Sequence, residues 1–80
     1  MSILKEEIVG DVIKNSIKSS NISNTEYNTT NKTLKVIFNN GICYEYYGVP
    51  HQEYTRFRLA ESQGSYFSKN IAKNYKYARK

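Results

Sequence analysis

The sequence predicts an α+β domain: a small antiparallel sheet of three to four strands packed against two C-terminal helices, with an optional N-terminal amphipathic helix. Three observations lead there. Residues alternate apolar and polar on both sides of Asn39-Asn40-Gly41, the pattern of a half-buried hairpin. After Pro50, and again after Ser65, the apolar residues recur at helical spacing instead. The chain has 80 residues, 39% hydrophobic, with eight Tyr and no Trp. That length suits one domain near the lower limit for an unaided apolar core. A Tyr-rich core of this size is thin and keeps hydroxyls at its edges.

The elements follow in order. Leu4, Ile8, Val9, Val12 and Ile13 fall at roughly helical spacing, so Ser2 to Asn15 is expected as a short amphipathic helix capped by Ser2. Gly10 and the β-branched residues oppose it. Ile17 to Ser23 alternates weakly and predicts a first strand. Asn24 to Lys32, rich in Asn and Thr, reads as turns around a short strand at Tyr27.

The hairpin comes next, Thr33–Phe38 and Ile42–Tyr47. A two-residue Asn-Gly loop would set Leu34, Val36 and Phe38 beside Cys43, Glu45 and Tyr47. A three-residue loop with Gly41 in the left-handed region instead aligns them with Ile42, Tyr44 and Tyr46, and puts Lys35 opposite Glu45. A one-residue slip flips every side chain, so the apolar match selects the three-residue loop. Val49-Pro50 then ends the strand and opens a helix to about Ser62, with Tyr54, Phe57 and Ala60 inward. Gly64 is expected to stop it. Ser65 is expected to cap a second helix reaching Ala78, with Phe67, Ile71, Tyr75 and Ala78 inward.

Charge marks the C-terminal segment. Residues 65–80 carry Lys69, Lys73, Lys76, Arg79 and Lys80 and no acid, which alone equals the chain's net charge of +5. On a helix, Lys69, Lys73, Lys76 and Lys80 would form one stripe opposite the apolar one, with Tyr66 and Tyr77 beside it. Ammonium groups neutralise phosphates and rings stack on bases, so the pattern suits nucleic acid. A solvated helix face with cations near its C-terminus has the same appearance. Arg56 and Arg58 either extend such a patch or are ordinary surface charge. Ser62, Gly64 and Ser65 suit an anion-binding turn, or simple capping. Tyr44 and Tyr46 are expected in the core, leaving Tyr47 on the freer face.

Other chemistry finds little support. Cys43 is the single cysteine, so no internal disulfide forms, in keeping with a reducing cytoplasm. Cys43 and the single His51 cannot supply a four-ligand zinc site, and no nucleophilic triad or phosphate loop is present. No cofactor and no catalysis are expected. No apolar run approaches the ~20 residues of a membrane span, and no secretory leader is evident.

Together these residues resemble the KTSC domain, named for its occurrence at the C-terminus of some lysyl-tRNA synthetases. The shared landmarks are Leu34-x-Val36-x-Phe38, Asn40-Gly41, Tyr44-x-Tyr46, Val49-Pro50, Tyr54, Ala60-x-Ser62-x-Gly64, Tyr66-Phe67, Ile71 and Tyr75. They divide the chain into an N-terminal extension, residues 1–16, and a KTSC-like domain, residues 17–80. Glu53 and Arg58 stand where the family is usually apolar, and Ser68 where an Asn commonly follows Tyr-Phe. The resemblance implies a small domain whose synthetase context suggests RNA binding.

The expected function is therefore a non-catalytic basic module that contacts nucleic acid, RNA favoured, through the C-terminal lysines. The alternative is a small homo-oligomer. It would expose Leu4, Ile8 and Val12 to another copy or a protein partner, or sequester a nucleotide-like anion.

Overall fold

The computed structural model describes residues 3–80. It is a two-layer α+β fold whose sheet has six antiparallel strands, in sequence order across the sheet. They are β1 (Ile3–Val9), β2 (Val12–Ile17), β3 (Ile22–Asn28), β4 (Thr33–Phe38), β5 (Cys43–Tyr46) and β6 (Tyr77–Arg79). Helix α1 (His51–Leu59) and the short α2 (Gln63–Tyr66) lie between β5 and β6 in the chain, and α2 continues as a π-helical turn, Phe67–Ile71. The expected three to four strands are thus an undercount.

The expected N-terminal helix is a β-hairpin. Gly10, at φ +60°, leads a two-residue turn with Asp11, and Val9 pairs with Val12 across it. A glycine at the first turn position matches the twist of the flanking strands. Ile8, Val9, Val12 and Ile13 are β-branched and pack well on a pleated surface. The proposed Ser2 cap lies outside the described residues. The hairpin is continuous with the rest of the sheet, and Asn15 and Ile17 from β2 are buried in the core.

The predicted strand over Ile17 to Ser23 straddles a loop, since Ile17 ends β2 and Ile22 begins β3. The turn-rich reading of Asn24 to Lys32 holds only for its second half. β3 runs to Asn28, whose Oδ1 accepts the N–H groups of Thr30 and Asn31 at 3.0 and 2.9 Å. This Asx-type turn carries Lys32 at φ +56°.

The central hairpin has the three-residue loop. Leu34 opposes Tyr46, Lys35 opposes Glu45, and Val36 opposes Tyr44. Phe38 and Ile42 close the ladder, and Gly41 sits at φ +87°.

After Pro50, α1 ends at Leu59, before the expected Ser62, because Ala60 is already extended. Gly64 does not stop a helix. It is buried in the first turn of α2, where an added Cβ would overlap Asn21 Oδ1 of the β2–β3 loop. Ser62, not Ser65, is the cap: its Oγ accepts the Ser65 N–H at 3.3 Å. The second helix also fails to reach Ala78. Beyond the π-helical turn the Asn74 side chain donates to the Asn70 carbonyl at 2.5 Å. Tyr77–Arg79 is then strand, paired to β5.

Both helical segments cover one face of the sheet. Ile17, Ile22, Tyr27, Leu34, Val36 and Tyr46 meet Tyr54, Phe57, Phe67 and Ile71 from the helical layer, all buried. Burying each such aliphatic or Phe side chain contributes about 1.5–3 kcal/mol. The Tyr27 and Tyr54 rings stack at 4.3 Å. Their hydroxyls are used: Tyr27 donates to the Val49 carbonyl, and Tyr54 accepts from Asn15 Nδ2, each at 2.7 Å. Among the described residues no helix is long and apolar enough to cross a membrane.

Candidate nucleic-acid interface

The four lysines expected on one helix face occupy four different settings. Lys69 is on the π-helical turn, Lys73 in the turn after it, Lys76 just before β6, and Lys80 just after it. No helical stripe exists, because the segment that would have carried it changes from helix to strand. The strand reorganises the charge instead. Tyr77 opposes Tyr46 and Arg79 opposes Tyr44, so Tyr77 and Arg79 turn toward the helix-bearing face. Alternation sends Lys76, Ala78 and Lys80 toward the open face. The Lys80 ammonium accordingly meets Glu45 Oε1 at 3.2 Å.

β6 is therefore an edge strand with cations on both faces and one prominent ring. Tyr77 is 57% exposed. It is held from behind: its ring lies 5.4 Å from Tyr46, tilted, and 5.4 Å from Tyr44, edge-on. Tyr46 is buried against Phe67, and Tyr44 packs partly on the core, as the hairpin register requires. Tyr47 is exposed on the open face, where its hydroxyl donates to Glu45.

Other anticipated residues lie elsewhere. Tyr66 is partly buried, and its hydroxyl donates to Glu53 Oε2, while Tyr75 donates to Oε1 of the same carboxylate at 3.0 Å. Burial, reinforced by the Glu53 charge, pushes Tyr66 up to about 12 and raises Tyr75 as well. Glu53 thus ties α1 to the segment leading into β6. Arg56 is exposed on α1. Arg58 is engaged with Glu6 of β1 through Nε at 2.7 Å and Nη2 at 3.0 Å. That pairing holds the Glu6 carboxyl below the usual range.

At the α1–α2 junction, Ser62 and Ser65 are used in capping and Gly64 packs against the β2–β3 loop. Of the expected partner face, Leu4 and Ile8 are exposed on β1, while Val12 is half-buried on β2. Cys43 lies on β5, its thiol pushed up by burial. The His51 Nε2 contacts the Thr29 carbonyl at 3.1 Å. Among the described residues no three His, Cys, Asp or Glu side chains are grouped to hold a metal ion.

The open face of the sheet has its own order. Glu7, Lys14, Glu26, Lys35 and Glu45 are successive register partners from β1 to β5, so the charge alternates across the strands. A groove of about 300 Å³ lies here, lined in part by Lys5, Glu7, Lys14 and Glu26. Its acids and bases offset one another, so it offers an anion less than β6 does.

Sequence reasoning missed Arg79, because on a helix it falls off the lysine stripe. The available signal was the unpaired edge of β5, which a short alternating segment such as Tyr77-Ala78-Arg79 can cover.

No curated protein matches the chain. A solved structure of a KTSC domain protein from Yersinia pestis is similar to it, with a TM-score of 0.74 and 26% sequence identity, over 95% of this chain and 96% of that one. That alignment extends beyond residues 18–75, which the KTSC domain family model matches. These residues include the Tyr-x-Tyr strand, the Val-Pro helix start and the buried Gly64. On that match, which spans well over half of the chain, the chain belongs to the KTSC domain family.

Proposed function

We propose that this chain is a non-catalytic binding module that contacts nucleic acid, RNA in preference, through β6 and the turn leading into it. The observation that carries the reading is the exposed Tyr77 ring, fixed on Tyr44 and Tyr46, in a segment with Lys73, Lys76, Arg79 and Lys80 and no acid. A supported ring offers a stacking surface at little entropic cost, and flanking cations meet the phosphates on either side. Cations on an edge strand also block unwanted strand pairing. Edge blocking needs the charge but not an exposed ring, so Tyr77 separates the two roles. Cys43 on β5 and His51 at the start of α1 lie on different elements, and His51 contacts the Thr29 carbonyl, which favours binding over catalysis.

The test is fluorescence anisotropy with single-stranded RNA and DNA of one sequence across a salt series. Contact with about four phosphates gives a log–log salt slope near −3 on single strands. Tyr77→Ala is expected to cost about 1–3 kcal/mol of affinity. Lys76→Ala with Arg79→Ala is expected to flatten the slope. Lys69→Ala, on the π-helical turn, is expected to change it less. Salt-independent binding, or equal affinity in the Tyr77 and Lys76/Arg79 variants, would overturn the proposal.

A further inference from the structure

β1 is the other edge of the sheet, and it is built unlike β6. Leu4 is 68% exposed and Ile8 67%, and Val9 is exposed beside them. The backbone groups available there follow from the ladder. Thr29 N–H donates to the Asp11 carbonyl at 2.8 Å. Hydrogen-bonding direction alternates along a strand, so Asp11, Ile13 and Asn15 direct their backbone groups at β3. Val12, Lys14 and Ser16 then face β1, where their partners are Val9, Glu7 and Lys5. The intervening β1 residues Glu6 and Ile8 point their N–H and C=O groups off the edge. Leu4 sits at the bulge between Ile3 and Lys5.

The side chains along this edge are self-complementary. Leu4-Lys5-Glu6-Glu7-Ile8 paired antiparallel with itself about Glu6 sets Leu4 against Ile8 and Lys5 against Glu7. The off-edge residue Glu6 falls on the two-fold axis, where its N–H and C=O can pair with those of the second copy, while Leu4, at the bulge, meets Ile8 through its side chain. The one like-charge opposition is Glu6 against Glu6, and Arg58 chelates each of those carboxylates within its own chain. On the open face the new Lys5–Glu7 pairs extend the alternating ladder that already runs Glu7–Lys14–Glu26–Lys35–Glu45.

We infer that β1 pairs with β1 of a second copy of this chain, antiparallel about Glu6, joining two six-stranded sheets into one. The pairing is isologous, so it consumes both β1 edges and closes at the dimer. β6 does not continue it into a fibre, because Lys76, Arg79 and Lys80 repel their own kind. The inference rests on β1 alone, at the opposite edge from the proposed nucleic-acid contact, and stands or falls independently of it.

Sedimentation equilibrium tests both partner and register. The wild-type chain is expected to sediment as a dimer. Lys5→Glu sets Glu against Glu7 of the second copy, and Glu7→Lys sets Lys against Lys5. Each is expected to weaken its own dimer about tenfold, since two opposed pairs change sign. An equimolar mixture of the two variants restores opposite charges at both β1–β1 pairs, leaving only the Lys14 opposition within the Glu7→Lys chain, and is expected to recover the dimer. Ile8→Lys, which removes the apolar match, is expected to be monomeric, with circular dichroism showing each variant folded. A monomeric wild type, undiminished self-association of Lys5→Glu and Glu7→Lys, or a mixture no tighter than its components would overturn the inference.

Discussion

Glu53 is the residue through which α1 holds the segment leading into β6, and Glu53→Ala tests that link. The carboxylate accepts from both Tyr66 and Tyr75. A hydrogen bond to a charged acceptor contributes about 1.5–3 kcal/mol, toward the lower end where water reaches the group. Both bonds are only partly buried, so the pair is expected to be worth about 3 kcal/mol. For a domain of this size that lowers the melting temperature by roughly 10–20 °C.

The same contact carries a pH signature. The Tyr66 phenol is raised from 10.0 to about 12, by burial first and by Glu53 second. A raised folded-state value stabilises the neutral phenol. That contribution is complete below pH 10.0 and is lost as pH climbs toward about 12. Thermal melts at neutral pH and across this alkaline window, on Glu53→Ala, Tyr66→Phe and the double variant, measure it. The double-mutant cycle is expected to return a coupling of about 1 kcal/mol or more, and Glu53→Ala to flatten the alkaline decline. Additive single effects with an unchanged alkaline profile would show that the carboxylate holds neither ring.

Three further predictions concern the scaffold. Gly64→Ala sets a Cβ against Asn21 Oδ1 and Ser19 Oγ, side-chain ends that can swing aside, so urea unfolding is expected to show a cost of no more than about 1 kcal/mol. Gly41→Ala meets no atom but must hold φ +87°, so about 1–2 kcal/mol of pure backbone strain is expected, with the native fold retained by circular dichroism. Arg58→Ala removes a largely exposed pair, and less than about 1 kcal/mol is expected at neutral pH. Since Arg58 lowers the Glu6 carboxyl below 4.5, its contribution is present above pH 4.5 and fades as acid protonates Glu6, so wild-type and variant melts should converge there.

The parts that were legible from sequence are those decided by neighbours in the chain. The β4–β5 register followed from one glycine and two alternating runs, because only one loop length put Leu34, Val36, Tyr44 and Tyr46 on a common face. Tyr54, Phe57, Phe67 and Ile71 were recognised as inward for the same reason, and all four are buried. β3 was obscured because the irregularity between Ile22 and Asn24 breaks its alternation and because a polar residue, Thr25, is one of its buried side chains. At the N-terminus, the spacing of Leu4, Ile8, Val9, Val12 and Ile13 fits a helix and a hairpin alike, and only the Gly10-Asp11 turn tells them apart.

What the sequence alone determined, then, was the family, the central hairpin and a basic C-terminal segment. Tertiary structure decided what that segment is. Phe67, Ile71, Tyr75 and Ala78 keep helical spacing, yet the exposed ladder of β5 offers backbone hydrogen bonds that a local pattern cannot register. Pairing with it turns Tyr77–Arg79 into a strand and divides the cations between two faces. The charge was written in the chain, but its geometry was set by a strand more than thirty residues away.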